Sequence, residues 1–122
     1  MSRLKGKSAL ILGAASKGNM GQVIARRFAA EGADVTVAGR NIENLQALAQ
    51  SISGSAVYCD ITVKADIESA VSHAVARSGP IDVGINCTGW GLLTPFEETS
   101  EDDLVAMMNL QFKGPYQFMQ TL

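Results

Sequence analysis

The sequence predicts an α/β protein: a doubly wound parallel sheet, of which this chain carries the first four strands in the order 3-2-1-4. Three observations predict it. Short apolar runs alternate with longer stretches of helical period, the connections between them are mostly short, and a glycine-rich turn joins the first run to the first helix. Strands alternating with helices imply parallel pairing and right-handed crossovers, which put helices on both faces of the sheet.

Residues 8–13 (SALILG) read as a buried strand stopped by glycine. A helix follows over 20–31, with Val23, Ile24 and Phe28 on one stripe and Gly32 as its stop. Residues 34–38 (DVTVA) form the second strand, and Asn41 can cap a helix running to about Ile52. Residues 55–59 (SAVYC) form the third. The next helix is the most regular, with Ile67, Ala70, Val71, Ala74 and Val75 on one face and Gly79-Pro80 at its end. Residues 81–86 (IDVGIN) make the fourth strand, and a loop leads to Ser100, which opens a capping-box pattern. The last helix carries Leu104, Met107, Met108 and Phe112, and Gly114-Pro115 should bend or interrupt it, because proline lacks a backbone donor.

At 122 residues and 47% hydrophobic, the chain is large enough for one domain with a real core and too small for two. A formal charge of −2 commits no face to nucleic acid or anionic lipid. Cys59 and Cys87 form no CxxC or Cys/His pattern, so neither a disulfide scaffold nor a metal site is expected. No apolar run approaches the ~18 residues of a membrane span and no leader pattern is visible, which makes a cytoplasmic protein the expectation. Lone His73 reads as a surface residue, and the acidic run from Glu97 to Asp103 as a loop and a helix N-terminus.

The turn from Gly13 to Gly21 (GAASKGNMG) lies where a dinucleotide pyrophosphate sits in this architecture. Small residues admit the phosphates close to the backbone, and a helix N-terminus offers free N–H groups. The blander alternative is a tight turn and nothing more. Glycines at 13, 18 and 21 are spaced more widely than in G-x-G-x-x-G. After the second strand stands Arg40, where an acidic residue would bond a ribose 2′-hydroxyl. A guanidinium there favours a 2′-phosphate, with Ser16 and Lys17 adding to it, so NADP(H) is expected over NAD(H). Otherwise Arg40 is a solvated loop cation.

Four features in register then resemble the N-terminal half of the short-chain dehydrogenase/reductase family, from about Gly6 to the last residue. They are Gly13…Gly21, Asp60 in YCDIT, Asn86-Cys87-Thr88-Gly89, and Asn109 in MMNLQFKGPYQFMQ. The resemblance implies a Rossmann-like fold and assigns roles. Gly13, Ser16, Lys17, Gly18, Met20 and Gly21 match the pyrophosphate and ribose turn. Asp60, with the Ile61 backbone, matches the adenine contact. Asn86 and Gly89 match the segment beside the cofactor, and Asn109 matches the asparagine that holds a water in the proton relay. The implied partners are a small-molecule substrate and, in the full-length form, further copies of the protein, as a homodimer or homotetramer.

This sequence also departs from the family's pattern. Leu12 replaces a threonine, Cys87-Thr88 replaces Asn-Ala, and Gly84 leaves a strand position without a side chain. The long turn is closer to that of divergent enoyl-acyl-carrier-protein reductases, so carbonyl and enoyl substrates both stay open. The implied relay needs Tyr-x-x-x-Lys on one helix face. Thr62 follows Tyr58 by four residues and Gln120 follows Tyr116, so neither tyrosine has its lysine. Residues 1–122 are therefore expected to be a dinucleotide-binding domain incomplete at its C-terminus, part of an oxidoreductase about twice as long and inactive alone. The alternative is a binding module without catalysis. Trp90, Leu92 and Leu93 line an apolar substrate pocket, cover the core or form a subunit contact.

Overall fold

Five consecutive apolar or small residues make β1 (Ser8–Leu12), and every one of them is buried. Alternate side chains along it serve opposite faces, as a pleated strand requires. Ala9 and Ile11 join one core; Leu10 and Leu12 join the other. A strand covered on both faces has no reason to alternate apolar with polar, which is why SALIL reads as a continuous run. A computed structural model of the chain describes residues 2–89 and 91–122.

The other strands are β2 (Asp34–Gly39), β3 (Ser55–Tyr58) and β4 (Val83–Asn86). All pair in parallel, in the order β3-β2-β1-β4. Helices α1 (Met20–Ala30) and α2 (Ile42–Ile52) cover one face, where Ala25, Leu45 and Leu48 pack on Val35 and Val37. Helix α3 (Lys64–Ser78) covers the other through Ile67, Ala70 and Ala74, joined by Phe118. Fully burying one Leu or Ile in such a core contributes roughly 1.5–3 kcal/mol.

The α1 stripe differs from its sequence expectation. Its buried residues are Gly21, Gln22 and Ala25, with Ile24 and Phe28 half-buried, while Val23 is exposed. Gly21 explains this. A Cβ there would lie 2.6 Å from the Gly13 carbonyl oxygen, so the helix makes its closest approach on that face and Val23 turns outward.

Local signals hold at most helix ends. Asn41 Oδ1 accepts the Asn44 N–H (3.1 Å), and Ser100 and Asp103 exchange the two bonds of a capping box (3.0 and 3.1 Å). The bend or interruption expected at Gly114-Pro115 takes the form of a π turn just before it, not an end to the helix. Helix α4 (Glu101–Met108) passes through a five-residue π turn (Asn109–Lys113) directly into α5 (Gly114–Thr121). The Gly114 N–H bonds the Asn109 carbonyl, a wider loop that lets Pro115 enter at the first turn of α5, where its missing donor costs little.

Gly84 also finds its explanation: the Leu122 side chain occupies the space its Cβ would need. No helix among the described residues is long and apolar enough to cross a membrane.

Candidate functional site

Strand register builds the site. Leu12 pairs with Ala38 on one side and Asn86 on the other, and Gly39 pairs with Tyr58. The strands therefore end nearly level, and the residues just beyond them meet along one edge of the sheet. Because β1 has β2 on one side and β4 on the other, the crossovers diverge there and open a crevice. That crevice is a cleft of about 770 Å³. Gly13, Ala15, Ser16 and Asn19 form one wall, Gly39, Arg40 and Asn41 the next, then Cys59 to Thr62, Cys87 to Gly89, and Ala106, Asn109 and Leu110 from the last helix.

Gly13 is the hinge of this arrangement. Its φ is +93°, and an added Cβ would lie 2.6 Å from both the Cys87 carbonyl carbon and the Thr88 nitrogen. Only glycine lets the turn lie against the backbone that follows β4. Gly18 has φ +75° with open space around it, so its need is conformational alone.

The turn is held by residues that sequence reasoning passed over. Asn19 caps α1, accepting the Gln22 N–H (2.9 Å), and donates to the Gly13 carbonyl (3.0 Å). Gln22, only 6% exposed, donates to the Ala14 carbonyl (3.1 Å) and accepts the Gly18 N–H (3.3 Å). Asn44 reaches from α2 to the Ala15 carbonyl (2.9 Å). Asn19 was legible as a cap before a helix; Gln22 and Asn44 had no local signal.

On the floor, Thr62 donates both its N–H (2.9 Å) and its hydroxyl (2.7 Å) to Asp60 Oδ1. These bonds, chiefly the hydroxyl one and aided by the charge of Arg40, hold the Asp60 carboxyl below its usual range despite partial burial. Asn86 repeats the motif, accepting the Thr88 N–H (2.9 Å) and hydroxyl (2.6 Å). The two segments D-I-T and N-C-T thus make matching Asx turns.

Of the expected site residues, Gly13, Ser16, Arg40, Asp60, Ile61, Gly89 and Asn109 line the cleft together. Lys17, Gly18, Met20, Gly21 and Asn86 are not part of that lining. Met20 is 71% exposed at the start of α1, Gly21 is buried beneath the turn, and Asn86 ends β4. Gly114 was missed. Its absent side chain lets the last helix lie on the Ile61 carbonyl, 2.7 Å from where a Cβ would be.

Neither cysteine is poised as a nucleophile. Burial, with Asp66 and Asp60 nearby, pushes the Cys59 thiol up to about 12, and burial also raises Cys87. His73 bonds Ser55 Oγ (3.2 Å) at the start of β3, the sheet end away from the cleft. Leu92 and Leu93 do not line the cleft, Leu93 being 99% exposed; Trp90 lies outside the described residues. Among the described residues no three His, Cys, Asp or Glu side chains gather as a metal site would require.

A parallel sheet with its switch point beside β1, and a glycine turn seated in that crevice, defines a Rossmann-like doubly wound protein. Residues 13–122 match the family model described as Enoyl-(Acyl carrier protein) reductase. The chain belongs to this family, among the short-chain dehydrogenase/reductase oxidoreductases. It is 40% identical over 115 residues to the uncharacterized oxidoreductase YuxG of Bacillus subtilis, covering 88% of this chain and 16% of that protein. It is 32% identical to D-threitol dehydrogenase of Mycolicibacterium smegmatis, covering 98% of this chain and 47% of that one. Among solved structures, 3-ketoacyl-(acyl-carrier-protein) reductase from Brucella melitensis, complexed with NADH, superimposes with a TM-score of 0.90 at 31% identity. That alignment covers 98% of this chain and 49% of the other. The chain thus spans about half the length, or less, of the relatives it matches. Members of the family bind NAD(P)H.

Proposed function

We propose that this chain is the cofactor-holding part of an NADP(H)-preferring short-chain dehydrogenase/reductase. Its reaction would move hydride between the nicotinamide and a small carbonyl, alcohol or enoyl substrate. The observation that carries the cofactor preference is Arg40, exposed at the end of β2 beside Asp60 and sharing the cleft wall with Ser16. A guanidinium there can fork onto a 2′-phosphate, whereas no carboxylate stands directly after β2 to repel one. Gly13 and Gly21, whose added Cβ atoms would collide with backbone, fit a turn that keeps its cradle clear.

Within that site each residue has a part. The Gly13–Gly21 turn, with Ser16, Lys17, Gly18 and Met20, would hold the pyrophosphate and adjoining ribose. Thr62 uses Asp60 Oδ1, and Asp60 Oδ2 would take the adenine amino group beside the Ile61 backbone. Asn86 and Gly89 would flank the nicotinamide side, and Asn109 would hold a water for the proton relay. When bound, the nicotinamide supplies the hydride chemistry; the protein supplies orientation and charge.

Neither tyrosine has a lysine four residues on, which favours a chain that binds cofactor without turning substrate over unless further polypeptide joins it. The same fact is what a non-catalytic dinucleotide-binding module would show. Two unpaired cysteines support a reducing, cytoplasmic setting. An exposed apolar stripe of Val105, Met108, Phe112, Tyr116 and Met119 along α4 and α5 supports a homodimer or tetramer. Sedimentation velocity of the full-length protein tests that assembly, and a single species of monomer mass would overturn it.

Fluorescence titration with NADPH and NADH tests the cofactor assignment. Arg40→Ala should weaken NADPH binding about 10- to 100-fold, the scale of a lost charged hydrogen bond, and leave NADH nearly unchanged. An unchanged preference for the phosphorylated cofactor in Arg40→Ala would sink the assignment.

A further inference from the structure

We infer that three carboxamides, Asn19, Gln22 and Asn44, are positioning residues that set the polarity of the phosphate cradle. The inference deepens the dinucleotide reading and rests on it. Each takes one of three successive carbonyls: Asn19 Nδ2 donates to Gly13 (3.0 Å), Gln22 Nε2 to Ala14 (3.1 Å) and Asn44 Nδ2 to Ala15 (2.9 Å). In a planar trans peptide the carbonyl of one residue and the N–H of the next point to opposite sides. Holding the Gly13 carbonyl turns the Ala14 N–H toward the β2 carbonyl of Ala38, 3.3 Å away. Holding the Ala14 and Ala15 carbonyls turns the N–H groups of Ala15 and Ser16 away from their clamps. Those are two residues that line the cleft.

Successive N–H groups facing one concavity bind anions. A peptide flipped the other way would put a carbonyl oxygen, with its partial negative charge, toward the same phosphate. The clamps oppose that flip. Gln22 is spent on this at both ends, since its Oε1 also accepts the Gly18 N–H (3.3 Å) across the turn.

The experiment measures NADPH and adenosine 2′-monophosphate binding, with melting temperatures, in the full chain and in Asn44→Ala, Asn44→Gln and Gln22→Met. Adenosine 2′-monophosphate probes the Arg40 side and carries no pyrophosphate. Asn44 is exposed, so Asn44→Ala should melt within about 2 °C of the parent. It should bind NADPH about five- to tenfold more weakly, the scale of one lost hydrogen bond, and adenosine 2′-monophosphate unchanged. Asn44→Gln, which keeps the donor, should recover most of the loss. Gln22→Met should show the same ligand selectivity with a lower melting temperature, because its site is buried. Undiminished NADPH binding in both Asn44→Ala and Gln22→Met overturns the inference, as does a loss shared equally by both ligands. A parent chain that binds neither ligand overturns the dinucleotide reading itself.

Discussion

Alanine at position 13 puts a methyl group where the turn meets β4, and the cost can be worked from geometry. Gly13 has φ +93°, a conformation that costs an L-residue roughly 1–2 kcal/mol. The new Cβ would lie 2.6 Å from the Cys87 carbonyl carbon and the Thr88 nitrogen, and 2.8 Å from the Cys87 oxygen. All three are backbone atoms, so no side chain can swing aside. Overpacking of this kind adds about 1–3 kcal/mol. Together the two effects reach about 2–5 kcal/mol, a large share of the ~5–15 kcal/mol that holds a domain folded. In a chain of this size that is a fall of roughly 10–20 °C in melting temperature.

Two other glycines separate the contributions. Gly18 has φ +75° and nothing within 4 Å, so Gly18→Ala should cost only the conformational part, about 3–8 °C. Gly91 has neither restriction, and Gly91→Ala should shift the midpoint by less than about 2 °C. Thermal unfolding followed by circular dichroism reads all three. If Gly13→Ala melts no lower than Gly18→Ala, the close approach of the turn to β4 is wrong.

Two further outcomes follow from ionisation. Arg3, bonded to Glu31 at 3.0 Å, holds the Glu31 carboxyl far below its usual range, at about 2, with Arg27 adding a smaller charge effect. A carboxyl depressed on folding stabilises above its unfolded pKa and loses that contribution as pH falls toward the folded value. The Glu31 contribution should therefore be intact above about pH 5 and disappear toward pH 2. Glu31→Gln should flatten that part of an acid-unfolding curve, and an identical slope in parent and variant would count against the pairing. Cys59, with its thiol pushed up to about 12, should be about 10⁻⁴ thiolate at pH 8 and resist iodoacetamide until the chain unfolds. Rapid native-state alkylation of Cys59, read by peptide mass spectrometry, would contradict that environment.

Strand and helix order were legible because they depend on runs of neighbouring residues. SALIL is a continuous buried run, DVTVA and the Ile67–Ala70–Ala74 face carry their own periods, and parallel pairing follows from the alternation of strands with helices. Gly13 and Arg40 were legible for a related reason: each stands directly beyond a strand, and level strand ends bring them to one cleft, where Asp60, marked in the sequence only by the family resemblance, joins them.

Tertiary structure alone decided the rest. Val23 matched the apolar period of α1, yet Gly21 against the Gly13 carbonyl chose which face of that helix packs. Gly114-Pro115 read as a bend or interruption, but only the fold shows that it is a π turn, which carries the helix on and brings Gly114 against Ile61. Gln22 and Asn44 look like ordinary helix polars; their partners, Ala14 and Ala15, lie 8 and 29 residues away in the chain. A local pattern can specify which groups a segment offers. Which carbonyl an amide reaches is settled only when packed helices bring distant backbone within 3 Å.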